Sequence, residues 1–173
     1  MSLKEKLKNA IDSYKDFPEK GILFRDLLPV LQDVELFESL TKEMIKLKSV
    51  RESEAIIGID ARGFIFGTAI SLLSQKPLVL ARKPGKLPGE LIQGTYNLEY
   101  GKNSLSIQKD ALNNYNSYAI VDDLLATGGT VDCVAKLVKN NGKDVLGLLA
   151  VVELVELQGR SRLDFPVHSE LTI

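Results

Sequence analysis

A chain of 173 residues, 45% hydrophobic and 26% charged, is long enough for one globular domain around a single core and too short for two full ones. Lysine and arginine number 22 against 23 aspartate and glutamate, which excludes a global positive field for nucleic acid or an anionic membrane, so an anionic ligand must be met by local charge. The single cysteine, Cys133, excludes an intramolecular disulfide, and together with the lone His168 it excludes a zinc cluster.

Ser2 followed by Glu5 predicts a capping box, and Leu3, Leu7, Ala10, Ile11 and Tyr14 then recur at helical spacing. The N-terminus carries no apolar leader and no apolar stretch is long enough to span a bilayer, so a cytoplasmic location without a membrane partner is expected. Phe17-Pro18-Glu19-Lys20-Gly21 breaks the helix and predicts a loop that runs on to Pro29. Leu36, Phe37, Leu40, Met44 and Leu47 mark a second helix, with Asp33 as its cap.

Ala55 to Asp60 predicts a strand ending in a carboxylate, which leads through Arg62-Gly63 into a buried helix from Phe64 to Leu73. Leu78 to Ala81 and Tyr118 to Asp123 repeat the strand signal. A Gly-Gly turn, a helix from Val131 to Asn140 closed by Gly142, and an almost uncharged strand from Val145 to Val152 follow. This alternation predicts an α/β, doubly wound fold with a mainly parallel sheet flanked by helices. Between Arg82 and Lys109, glycines, prolines and polar residues replace the pattern and predict a flexible hairpin or flap beside the sheet.

In open α/β sheets the ligand crevice lies at the carboxyl ends of the strands. The richest such end is Val121-Asp122-Asp123-Leu124-Leu125-Ala126-Thr127-Gly128-Gly129-Thr130. Two adjacent carboxylates repel one another, and ribose hydroxyls or a metal bound to them relieve that cost. The glycines let backbone N–H groups approach a phosphate at a helix N-terminus, with Thr127 and Thr130 as further donors. An ordinary tight turn capped by threonine is the competing reading. The segment is neither a Walker A loop, since no lysine follows the glycines, nor a three-glycine dinucleotide fingerprint.

This segment resembles the phosphoribosyl pyrophosphate signature of the type I phosphoribosyltransferases, and its Leu-Leu-Ala-Thr-Gly-Gly-Thr wording resembles their adenine-using branch. The likeness covers nearly the whole chain and takes in, in the family's order, Phe17 to Asp26, Asp60 to Phe64, Arg82 to Gly89, Tyr96 to Gly101 and Val152 to Leu154. It implies a single domain over residues 1–173, with residues 1–34 contributing a small base-binding hood. The implied reaction joins adenine to phosphoribosyl pyrophosphate, with AMP and pyrophosphate as products, in a homodimer.

By the same resemblance, Asp122 and Asp123 hold the ribose hydroxyls, and Ala126, Thr127, Gly128, Gly129 and Thr130 wrap the 5-phosphate. Asp60, Ala61, Arg62 and Gly63 resemble the pyrophosphate loop, where the family has a cis peptide before the small residue. The Arg62 guanidinium is a planar fork suited to phosphate oxygens, with a surface salt bridge as its alternative. Arg82, Lys83 and Lys86 resemble residues that reach pyrophosphate, while spacing alone leaves a solvated charge cluster open. Mg²⁺ is expected to arrive on the substrate, because the sequence shows no dedicated metal cage. Phe24 and Leu154 resemble the residues that sandwich the base, and the backbone of Leu23 and Arg25 the groups that read its edge. Without the motif, plain core packing is the simpler reading of Phe24 and Leu154. Glu99 resembles the family's acid/base residue.

Ala61 stands where some members carry serine, and Pro84 where some carry a basic residue. Cys133 is expected to be a small core residue, and His168 structural or exposed. A transferase for 6-oxopurines is the first rival, and it calls for a lysine near Val151-Val152-Glu153-Leu154, where none stands. The second is a regulator that senses phosphoribosyl pyrophosphate, which calls for a DNA-binding domain or basic face that the sequence does not show.

Overall fold

The Ser2 capping box forms as its sequence predicts: the Glu5 amide donates to the Ser2 hydroxyl at 3.3 Å, and the Ser2 amide donates to Oε2 of Glu5 at 2.7 Å. It opens α1 (Leu3–Ala10) in a computed structural model that describes residues 1–98 and 101–173. The chain divides into two compact units, Met1–Glu43 and Met44–Ile173.

In the first unit α1 is shorter than the apolar period implies. At Ile11 the backbone becomes extended, and β1 (Asp12–Lys15) pairs antiparallel with β2 (Leu23–Asp26), setting Tyr14 opposite Phe24. Ile11 and Tyr14 therefore leave the helix, and the expected loop from Phe17 to Pro29 contains a strand. The reason is a turn that periodicity does not register. Asp16 adopts a positive φ and its carboxylate accepts the Gly21 amide at 2.7 Å, which folds the chain back on itself and supplies β1 with a partner. α2 (Leu28–Gln32) begins with Pro29 in its first turn, where the missing N–H leaves no helical bond unmade. α3 (Val34–Met44) is capped by Asp33, whose Oδ1 accepts the Leu36 amide at 3.0 Å.

In the second unit Leu47 is the N-cap of a short helix, α4 (Lys48–Glu52), rather than the end of α3. Strands and helices then alternate: β3 (Ala55–Ile59), α5 (Gly63–Ser74), β4 (Leu78–Ala81), the hairpin of β5 (Leu91–Leu98) and β6 (Gly101–Gln108), α6 (Lys109–Asn113), β7 (Ser117–Leu125), α7 (Gly129–Asn140) and β8 (Asp144–Glu153). Two short 3₁₀ turns, Val155–Leu157 and Gly159–Arg162, lead to β9 (Val167–Thr172).

Five strands form one sheet in the order β4-β3-β7-β8-β9, every pairing parallel. Every residue of β3 and all but two of β8 are buried, which is why both lack polar alternation. Each fully buried valine, leucine or isoleucine there contributes about 1.5–3 kcal/mol. β9 was not expected from sequence, because Val167-His168-Ser169-Glu170-Leu171-Thr172 lies at the sheet edge and is only partly covered.

The predicted flap is a hairpin whose root belongs to the core. Arg82 and Ser106 exchange backbone hydrogen bonds of 2.9 and 2.8 Å, and Leu105 and Ile107 are buried. β5 lies so close to α7 that a Cβ on Gly94 would sit 3.0 Å from Sγ of Cys133. Cys133 is thus the expected small core residue, and burial pushes its thiol pKa up. Among the described residues no helix is long and apolar enough to cross a membrane.

Candidate active site

Because the five strands are parallel, their carboxyl ends share one edge of the sheet. Chain order reverses there: β3 pairs β4 on one side and β7 on the other. Asp60 to Gly63 leave β3 at this switch point, Arg82 leaves β4, Asp122 to Thr130 end β7 and lead into α7, and Leu154 follows β8. Segments separated by up to ninety-four residues in sequence thus end on one edge.

Two ion pairs stitch neighbouring strand ends together. Nε of Arg82 lies 3.2 Å from Oδ2 of Asp60, joining β4 to β3, and the same oxygen accepts the Lys83 amide at 3.4 Å. Nε of Arg62 lies 2.7 Å from Oδ2 of Asp123, joining the loop after β3 to β7. That oxygen is deeply buried and, among the described residues, has no aligned hydrogen bond; its contact with Arg62 is an ion pair. The Arg82 guanidinium also lies over the Phe64 ring, 5.5 Å from its centroid, a cation–π contact. The Asp60–Ala61 peptide is cis, in agreement with the family resemblance.

The carboxylates differ in their surroundings. The Asp122 carboxyl lies against the first residue of α5: its Oδ1 accepts the Asp123 amide at 2.9 Å, and a Cβ on Gly63 would stand 2.9 Å from that oxygen. Burial, reinforced by the charge of Asp123, holds the Asp122 carboxyl well above the usual carboxylate range. Burial also raises Asp123, and the Arg62 guanidinium counters part of that rise. Two neighbouring acids with raised affinities for protons, set in a crevice, are a functional-site signature.

Beyond them Ala126 to Val131, with Asp122, Leu124 and Leu125, line a small cavity of ≈ 60 Å³. Gly128 adopts φ +79 as the N-cap of α7, a conformation open to glycine without steric cost, at the end of the helix that favours anions. The turn faces this cavity. The backbone amide of Leu154 donates to the Leu125 carbonyl at 2.9 Å, so the residue after β8 is tied to the end of β7.

No protein-family model matches the chain. An adenine phosphoribosyltransferase of Prochlorococcus marinus (strain MIT 9515) is 61% identical to it over 170 residues, covering 98% of this chain and 99% of its own. The chain belongs to the adenine phosphoribosyltransferase family. A relative of that name from Butyrivibrio fibrisolvens is 42% identical over 165 residues, 95% of this chain and 92% of its own. Among solved structures of the family, that from Thermoanaerobacter pseudethanolicus superposes with a TM-score of 0.93 at 41% identity, covering 99% of this chain and 100% of its own. The Saccharomyces cerevisiae member, solved with an iminoalditol bisphosphate and adenine, gives a TM-score of 0.88 at 36% identity, covering 96% and 97%. The fold is that of the type I phosphoribosyltransferases, an α/β sheet flanked by helices.

Within this family fold, the switch point brings together Asp60, Arg62, Arg82, Asp122 and Asp123 from the residues singled out in the sequence. Lys83 and Lys86 are exposed on the segment after β4, and the Lys86 carbonyl lies 3.5 Å from an Arg82 terminal nitrogen. In the N-terminal unit, Leu23 is 43% exposed, Phe24 meets Phe17 edge-on at 5.1 Å, and Arg25 donates to the Ser13 hydroxyl at 2.6 Å. Glu99 lies outside the described residues. His168 pairs with Glu170 at 2.9 Å on β9. Sequence reasoning missed Gly63 and Gly159 as close-packing positions, because a glycine's neighbours across the fold leave no local trace.

Proposed function

We infer that this chain catalyses transfer of the 5-phosphoribosyl group of phosphoribosyl pyrophosphate to adenine, giving AMP and pyrophosphate, a purine-salvage reaction. The observation that carries this reading is the junction of the Asp122-Asp123 pair with the glycine turn at the N-terminus of α7, beside the arginines of the neighbouring strand ends. In this reading the carboxylates accept the ribose hydroxyls, the amides from Ala126 to Thr130 receive the 5-phosphate, and Asp60, Ala61, Arg62, Arg82, Lys83 and Lys86 serve the pyrophosphate.

Glycosyl transfer to nitrogen passes through a ribose with oxocarbenium character and requires loss of a proton from the base. Glu99 is assigned that proton. Leu23, Phe24 and Arg25 are assigned to adenine recognition, as is Leu154, and residues 1–34 to the base-binding part of one catalytic domain. A rigid backbone carbonyl accepts from a 6-amino group and is mispaired by a 6-oxo group.

Among the described residues no three side chains of metal-ligating type converge. A magnesium ion would arrive on phosphoribosyl pyrophosphate, and Asp122 and Asp123 would meet it through the ribose hydroxyls they hold. Bound in that way, magnesium supplies charge neutralisation for the departing pyrophosphate. A homodimer belongs to the same reading. It is supported by Ile65, Leu72 and Leu73, which stand exposed at helical spacing on α5. A cytoplasmic location is supported by the single buried thiol.

A 6-oxopurine rival is disfavoured at β8, where Glu153 and its partner Arg160 stand and no lysine does. The deciding experiment incubates the purified chain with Mg²⁺, phosphoribosyl pyrophosphate and each purine base in turn. AMP from adenine is expected. Turnover with hypoxanthine or guanine alone would overturn the specificity, and no turnover with any base would favour a sensor.

A further inference from the structure

The phosphate turn rests on a segment to which neither motif nor family resemblance gave a role. After β8 the chain makes its two 3₁₀ turns, and the second begins at Gly159, directly against the turn from Ala126 to Gly128. A Cβ on Gly159 would fall 2.1 Å from the Ala126 carbonyl oxygen and 2.9 Å from the Gly128 nitrogen. Reciprocally, a Cβ on Gly128 would fall 2.6 Å from the Gly159 carbonyl oxygen. These are backbone atoms, unable to swing aside as a side-chain tip does, so both positions admit only glycine.

Arg160, the residue next to Gly159, is held by a buried acid. Glu153, 7% exposed, accepts from Nε of Arg160 at 3.0 Å and from a terminal nitrogen of the same guanidinium, a bidentate fork. The Ser169 hydroxyl donates to Glu153 at 2.7 Å, and Arg160 also donates to the Val167 carbonyl at 2.5 Å. The residue next to Gly159 is thereby anchored to β8 and β9 together. Gln158, on its other side, takes φ +51, which fixes the direction in which Gly159 is presented.

We propose that Gly159, clamped by the Glu153–Arg160–Ser169 network, is a positioning residue that sets the conformation of the phosphate turn and hence its affinity for the 5-phosphate. The proposal rests on the assignment of that turn to the 5-phosphate, and it adds a support from β8 and β9 that is separate from the pyrophosphate loop after β3.

The test is calorimetric titration of Gly159→Ala, Arg160→Ala and Arg160→Lys with ribose 5-phosphate, which carries the 5-phosphate, and with pyrophosphate, which does not. Gly159→Ala is expected to weaken ribose 5-phosphate by about tenfold or more and pyrophosphate by less than about twofold. The KM for phosphoribosyl pyrophosphate is expected to rise more than kcat falls. Where Gly159→Ala does not fold, the arginine pair decides, because neither change inserts a Cβ into the turn. Arg160→Ala is expected to weaken ribose 5-phosphate selectively, and Arg160→Lys, which keeps the charge and loses the fork, to restore part of the loss. Equal weakening of both ligands, or unchanged ribose 5-phosphate affinity, would overturn the proposal. A parent chain that binds ribose 5-phosphate and turns over no base would sink the catalytic reading alone, with the affinity ratio still deciding the role of Gly159. A parent that fails to bind ribose 5-phosphate would sink the assignment of the turn to the 5-phosphate and the role of Gly159 with it.

Discussion

Asp122 and Asp123 occupy adjacent positions on one strand and have different partners: Asp123 faces the Arg62 guanidinium at 2.7 Å, while the Asp122 carboxyl lies against Gly63 at the start of α5. The folded value of Asp122 lies above its unfolded one, because burial and the neighbouring charge oppose ionisation. Such a group binds its proton more tightly when folded. The stability it contributes is complete below the unfolded value and is lost as pH rises toward the folded value. Asp122→Asn removes that loss, so melting temperatures of the variant are expected to fall less than the parent's as pH rises above the ordinary aspartate value of about 4. An unchanged slope in thermal scans would remove this account. At Glu99 the expected effect is on chemistry: Glu99→Ala lowers kcat by about 10²–10⁴ while leaving the melting temperature unmoved. Collapse of the fold in that variant would make Glu99 structural.

At the scale of the element, α5 is positioned by its first residue. A Cβ on Gly63 would meet the Val121 carbonyl oxygen at 2.8 Å and Oδ1 of Asp122 at 2.9 Å, so α5 touches β7 through bare backbone at the very place where the acids sit. Gly63→Ala is expected to destabilise the chain by about 1–3 kcal/mol through overpacking, measured by urea unfolding, and to raise the KM for phosphoribosyl pyrophosphate as the acids shift. A variant equal to the parent in both would show that α5 gives way without cost. The elements most legible in sequence were β3, β7, β8 and α7, whose apolar runs and glycine stops are local signals. β1 and β2 were not legible, since Ile11 and Tyr14 fit a helical period until the Asp16 turn brings Phe24 alongside.

For the whole molecule, the α5 surface has the most direct consequence. Leu72 is 74% exposed, with Ile65 and Leu73 exposed beside it at helical spacing, an apolar stripe suited to a second copy. Sedimentation is expected to give a dimer for the parent and a monomer for Leu72→Glu, since a charge at the centre of an apolar contact is desolvated without a partner. A Leu72→Glu chain that remains dimeric would place the contact elsewhere.

The sequence by itself determined the order of β3, α5, β4, β7, α7 and β8, the glycine turn before α7 and the identity of the acids and arginines, because apolar period, glycine punctuation and charge are written locally. Tertiary structure decided which arginine meets which acid, that Val167 to Thr172 completes the sheet, and that Gly63 and Gly159 press backbone against the strand end and the glycine turn. Those outcomes depend on distances between segments far apart in the chain, and such distances exist only once parallel pairing has brought the strand ends to one edge.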